Sequence, residues 1–254
     1  MKGGQLELDS AIIKVVGISN AGCSAIDYMR NSNLEGVEFH DFIETAIHTV
    51  IKETHLLFLI ADTSQNRDSQ DLLSAAKISK ELGILTIAVV IESLHSDCVA
   101  ILENAVDSVV VIPIDQTTGV NELLLDTVRG MTDAVTQQSL IGFDFADLKS
   151  LTLNGGEAVI AVGSAEGKDR ASIAAKEAVS SLLLCNANVL QNSYGILINI
   201  SAESMEIDEL DMVGNVVCDL TSKDALMKLA MTHNESLGNK IKVTIVATGI
   251  TLMT

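Results

Sequence analysis

The chain has 254 residues, 48% of them hydrophobic, and 34 acidic against 16 basic side chains give it a net charge of −18. That length and composition bury a sizeable core, as two packed units or one large α/β body. The acidity argues against nucleic acid and anionic membrane surfaces as partners, because both require a basic face; its plain reading is solubility.

In chain order, the start MKGGQLELDS has no apolar core and is no signal peptide. No apolar run approaches the ~18 residues of a bilayer span, so a cytoplasmic protein without direct membrane binding is expected. Strand Ile12–Val16 comes first. A helix is predicted over Asp41–Lys52, where Phe42, Ile43, Ala46, Ile47, Val50 and Ile51 recur as pairs every four residues. Strand Leu56–Ala61, helix Asp68–Leu82, strand Ile84–Val90, helix Asp97–Val106 and strand Val109–Ile112 follow. These strands are nearly continuous apolar runs, as a parallel sheet covered on both faces requires. The βαβ units give a doubly wound N-terminal half.

Val120–Val135 is the longest helical stripe and sits at the midpoint. After it come strand Glu157–Gly163, helix Asp169–Leu183, strand Tyr194–Ile200, helix Asp208–Val217, and strands Leu226–Thr232 and Lys240–Ala247. The economical architecture is α/β: an N-terminal subdomain over 11–117, a central helix within 118–140 and a smaller C-terminal subdomain over 141–254. Cys23, Cys98, Cys185 and Cys218 are scattered without CxxC spacing. They read as small buried residues of a reducing compartment, not a disulfide or zinc framework.

One further group of side chains has metal-ligand spacing. His40, Glu44 and His48 are four residues apart and would line one face of the helix predicted over Asp41–Lys52, with Glu53 and His55 nearby. The polar side of an exposed helix collects such residues anyway. No metal site is assigned to them, nor to His95 and Cys98.

Seven strings in one order carry a resemblance: IKVVGISNAGCSAIDYM (Ile13–Met29), KELGILTIAVV (Lys80–Val90), DSVVVIPID (Asp107–Asp115), DFADLKSLTLNGG (Asp144–Gly156), GKDRASIAAKEAVSSLLL (Gly167–Leu184), GILINI (Gly195–Ile200) and ESLGNKIKVTIVATGI (Glu235–Ile250). From about Ile12 to Ile250 the sequence resembles FtsZ, the bacterial tubulin homologue of the division ring. The resemblance implies a tubulin/FtsZ-like fold. Relative to the family's core, segments are missing between Phe39 and Leu56 and around Glu92–Glu103.

In that family GTP sits on the C-terminal ends of the N-terminal strands, where glycine-rich turns let backbone N–H groups face the phosphates. The resemblance carries the first such loop onto Gly17–Ser24. Gly17, Ala21 and Gly22 fit and Ser24 follows, whereas Ser19 and Asn20 replace glycines. The family's GGGTGTG signature falls on Ser64–Gln70, which has no glycine and runs into Asp68 and Asp71. Two carboxylates there would repel a triphosphate, and Asp68 or Ser69 reads better as the N-cap of the next helix. The family's stacking aromatic falls on Thr117, Asn121 keeps an amide where guanine is read, and Ile91–Glu103 offers no lysine or arginine. Gly17, Ala21, Gly22, Ser24 and Asn121 are thus a remnant nucleotide set, and no cofactor is expected. GTP with magnesium belongs to the alternative in which the chain is a divergent polymerising GTPase.

The opposite face is better kept. After its central helix the family presents acids that polarise the attacking water on the next subunit's nucleotide. The resemblance places them in trans at Asp144 and Asp147, although Gly142 stands where the family has an Asn. Alternatively, Asp147 caps a following helix whose Phe145 and Leu148 pack inward. The resulting reading is a degenerate FtsZ-like protein without GTP binding or hydrolysis. It would act by association with a protein partner, FtsZ protomers or filaments, as a regulator or cap, or as a homo-oligomer. A scaffold unrelated to filaments is the remaining alternative. The family's flexible C-terminal tail has no counterpart in the sequence, so a direct structural role in the division ring is not expected.

Overall fold

The computed structural model describes residues 11–32, 34–43, 46–63, 66–92, 97–113, 119–136, 143–152, 156–185 and 187–250. The predicted positions Glu44, Ser64, Gln65, His95, Thr117 and Gly142 lie outside them. In the first half, strands β1 (Ile13–Gly17), β2 (Val37–Asp41), β3 (Leu56–Asp62), β4 (Leu85–Glu92) and β5 (Ser108–Pro113) run parallel in the order β2-β1-β3-β4-β5.

Strand alternation sorts their side chains between two cores. Leu57, Leu59 and Ala61 of β3 join α2 (Ile47–Ile51), α3 (Asn66–Glu81) and α4 (Asp97–Leu102) on one side. Leu56, Phe58 and Ile60 join α1 (Ser19–Arg30) and α5 (Val120–Thr136) on the other. With both faces covered, no position of β3 before Asp62 needs to be polar, which is why this strand reads as one apolar run.

The helix predicted over Asp41–Lys52 is corrected. Val37–Asp41 is an edge strand paired with β1, and the helix shrinks to Ile47–Ile51. Phe42 and Val50 do pack inward, but from a turn and a short helix rather than from one helical stripe. His40 therefore sits on β2 and His48 on α2, so they share no helix face. Among the described residues no group of three His, Cys, Asp or Glu is placed to hold a metal. The helix predicted over Asp97–Val106 likewise ends at Leu102.

The second half adds α6 (Phe145–Thr152), β6 (Glu157–Glu166), α7 (Arg170–Cys185), α8 (Val189–Asn192), β7 (Gly195–Ala202), α9 (Ile207–Cys218), β8 (Leu226–His233) and β9 (Lys240–Ile250). β6 pairs in parallel with β5 through only Val109–Glu157 and Val110–Ala158, and antiparallel with β9 along most of its length. β9 then pairs with β7 and β7 with β8, so one nine-stranded mixed sheet crosses the chain in the order β2-β1-β3-β4-β5-β6-β9-β7-β8.

Helix α5 is where both halves bury their surface. Leu124, Leu125, Val128, Met131 and Ala134 share a core with β1 and β3 and also with Leu197, Ala230 and Val246 of the second half. Gly130 lets the helix approach β9, since a Cβ there would lie 2.6 Å from the Thr244 side chain. Lys242 of β9 holds the buried Asp126 of α5 through both carboxylate oxygens at 2.9 and 3.0 Å.

On the far side of β6, β7 and β9, α7 and α9 close a second core. Arg170 ties their N-terminal ends together by donating to Glu209 Oε1 and Oε2 and to the carbonyls of Ser204 and Asn239. No helix among the described residues is long and apolar enough to cross a membrane. Cys218, expected to be buried, is exposed in the last turn of α9, where its Sγ lies 3.5 Å from Met227 Sδ.

Candidate functional site

In the parallel part of the sheet the chain leaves β1 toward β2 on one side and β3 on the other. The C-terminal ends of β1 and β3 therefore form the topological switch point, the usual ligand crevice of such sheets. Gly17 ends β1 there, Ile18 is the N-cap position, and helix α1 starts at Ser19. The segment expected as a glycine-rich loop over Gly17–Ser24 is instead a single turn into a helix. Ala21, Gly22 and Ser24 lie within that helix.

The two glycines have structural neighbours in their own chain. A Cβ on Gly17 would lie 2.7 Å from the Gly22 backbone, and one on Gly22 would run into the Ile60 carbonyl oxygen of β3. They allow α1 to sit directly on the strands. Ser19, which replaces a glycine, keeps glycine-like geometry at φ +73°. Its Oγ accepts from Gly22 N at 3.4 Å and Asp62 N at 3.3 Å, so a hydroxyl already occupies two donors at the switch point.

The surroundings are acidic. Asp41 and Asp62 end β2 and β3. Burial, then the Asp41 carboxylate, push the Cys23 thiol above its usual range and keep it protonated. Next along the chain, α3 starts at Asn66, so Asp68 lies in its first turn rather than at its N-cap. There a carboxylate favours the helix dipole. Ser69, the other predicted cap, donates its hydroxyl to the Thr63 carbonyl. Asn121 stands half-buried in the first turn of α5, and among the described residues no hydrogen bond joins it to the β1–α1 segment.

Gly22→Ala separates packing from ligand binding. In an ordinary helix interior, Ala replaces Gly with a gain of about 0.5–1 kcal/mol. Here the added methyl meets a backbone carbonyl, an overpacking cost of about 1–3 kcal/mol or more. The apo protein should therefore melt lower, by about 2–4 °C per kcal/mol. A variant melting higher than the parent without nucleotide would return Gly22 to the ligand set.

The other candidate residues meet at the start of α6. Asp144 is the N-cap: its Oδ1 accepts from Asp147 N at 2.9 Å, and Asp147 Oδ2 accepts from Asp144 N at 3.2 Å. This is a reciprocal capping box with Asp in both places. The alternative in which Asp147 caps the helix is three residues late: Asp147 is the third helical residue. Phe143, Leu148 and Leu151 anchor the segment in the core, and Phe145 is half-buried with its ring edge-on to His55, centroids 6.3 Å apart. Asp147 has a further partner that sequence reasoning missed: Lys228 of β8, with Nζ 2.6 Å from Oδ1. That hydrogen bond, more than the Asp144 N–H, holds the Asp147 carboxyl below the usual carboxylate range against the opposing effect of burial. Asp144 is exposed.

His55 immediately precedes β3, whereas Asp62 ends it. The seven residues of β3 span about 20 Å. The α6 cap and the Ser19 turn thus lie at opposite ends of the sheet.

Residues 156–251 match the model of the FtsZ family, C-terminal domain. The cell division protein FtsZ of Buchnera aphidicola subsp. Baizongia pistaciae is 29% identical over 308 aligned residues, covering 95% of this chain and 80% of that protein. An empty FtsZ dimer of M. jannaschii superposes with a TM-score of 0.85 at 24% identity, over 96% of this chain and 90% of that one. GDP-form TubZ protofilaments of Bacillus thuringiensis superpose with a TM-score of 0.64 at 10% identity, over 96% and 87% of the two chains.

Residues 156–251 are thus an FtsZ-family C-terminal domain, and the chain as a whole is similar to FtsZ proteins. Its alignment with the Buchnera FtsZ is longer than its own 254 residues, so the shortening relative to FtsZ includes internal deletions. The fold is the tubulin/FtsZ-like α/β fold, as the resemblance implied.

Proposed function

We propose that this FtsZ-family chain works in cell division by docking onto FtsZ subunits, without holding GTP itself. One observation carries the reading: the two ends of the sheet are unequally equipped. At one end α6 presents an exposed Asp144 on a doubly bonded cap. At the other, the Ser19 hydroxyl takes two N–H donors of the switch point, and Asp41 and Asp62 put carboxylates at the strand ends.

A subunit competent at one end and altered at the other can join a filament but not extend it. It would act as a cap at substoichiometric ratios. In the subunit it covers, Asp144 would take the proton of the attacking water. The water oxygen would bond to the γ-phosphorus as the bond to the β,γ-bridging oxygen breaks. Self-association is the second reading, and the likeness to an FtsZ dimer and to TubZ protofilaments favours it. A scaffold with no link to filaments has no observation in its favour.

The test is sedimentation and phosphate release by FtsZ of the same organism, with and without this protein. Shorter or fewer polymers and faster phosphate release are expected well below equimolar ratio. Unchanged polymer mass and turnover at equimolar mixing would mean that the α6 cap is a relic. Sedimentation of the protein alone reads out self-association.

A further inference from the structure

We infer that Lys228 decides which of the two α6 carboxylates can act: it commits Asp147 to its own chain and leaves Asp144 as the one acid offered to a partner. The inference rests on the docking reading above. Lys228 lies on the edge strand β8, opposite Leu197 of β7, far in sequence from the acids it serves. Its Nζ takes Asp147 Oδ1 at 2.6 Å, and the Asp144 N–H takes Oδ2. Both oxygens of Asp147 therefore face donors, one of them cationic.

Such a carboxylate is a weaker base, and each of its oxygens already accepts a hydrogen bond. Besides Lys228, the charged neighbours of Asp147 on its own element are Asp144 at the cap and Lys149, and among the described residues only Lys228 forms an ion pair with it. Leu148, Leu151 and Thr152 face Leu197, Val246 and Met131 around a small apolar cavity. Asp144 differs: its Oδ1 serves the cap, and among the described residues its Oδ2 has no hydrogen bond.

Electrostatics gives Lys228 a second effect. Two free carboxylates pushed toward a neighbour's triphosphate would repel it, and pairing Asp147 with a lysine removes one of those charges at the docking face. Lys228 is accordingly a positioning and charge-setting residue. It touches no reacting atom.

The test has two readouts on the full chain. In the free protein, ¹³C NMR of the side-chain carboxyls should show Asp147 titrating below the usual carboxylate range. Lys228→Met should raise the Asp147 midpoint. In phosphate release from FtsZ of the same organism, Asp147→Asn should lower stimulation by less than Asp144→Asn does. Asp144→Asn should lose about tenfold or more. Asn retains an acceptor oxygen at either place, so the α6 cap survives, and matching thermal melts check that.

In the Lys228→Met background, Asp147→Asn should begin to matter. Equal losses from the two Asn variants, or an Asp147 midpoint unmoved by Lys228→Met, would overturn the inference. If the parent leaves FtsZ untouched, the docking reading falls, and the titration alone decides whether Lys228 holds Asp147.

Discussion

Calorimetry of this protein with GTP and magnesium is expected to give no dissociation constant at or below the micromolar range, and no turnover. The reason is local to the switch point. A phosphate held there needs free N–H donors and a small or positive environment. Ser19 Oγ already accepts from Gly22 and Asp62, so a phosphate oxygen would first have to displace it. Two strand-end carboxylates, Asp41 and Asp62, then stand where the triphosphate would enter. Like charges 4 Å apart cost about 1 kcal/mol in water and about 4 kcal/mol at an effective dielectric of 20. Even the lower figure, repeated over two carboxylates and several phosphate charges, cancels what a few backbone hydrogen bonds contribute. A micromolar constant would overturn this account and promote the polymerising-GTPase reading.

Much of the fold was legible because its strands are buried on both faces. A run such as Leu56–Ala61 has few ways to be stable other than in a covered parallel sheet. The central helix was legible for a related reason: its apolar stripe is long enough to serve two cores at once. The stretch around β2 and α2 was not. Val37–Asp41 is a half-buried edge strand of five residues, and the apolar pairs after it imitate a helical period that breaks into a turn and a short helix.

At the candidate site, sequence flagged Ser19 as a departure but could not show that its hydroxyl accepts from two backbone N–H groups at the switch point. Its alternative of a cap in this loop named Asp147 rather than Asp144, because Asp at N-cap and Asp at the third helical position look alike in a string. Lys228 was invisible. Only the β7–β8 pairing brings it beside Asp147, and no local pattern encodes that contact.

Asp144→Ala is expected to have the largest functional effect of any single substitution in the chain. Two losses combine in it. The N-cap bond to Asp147 N disappears, which costs helix α6 about 0.5–2 kcal/mol. The exposed carboxylate that would accept the water's proton goes with it, a loss of about 10²–10⁴-fold in rate for a removed general base. Asp144→Asn separates the two, since an amide oxygen still caps the helix but does not take a proton. The Asn variant should still shorten FtsZ polymers in sedimentation while no longer accelerating phosphate release; the Ala variant should be weaker in both assays. Should Asp144→Asn accelerate phosphate release as well as the parent does, Asp144 would be a structural cap alone. The shortened polymers would then report docking without chemistry.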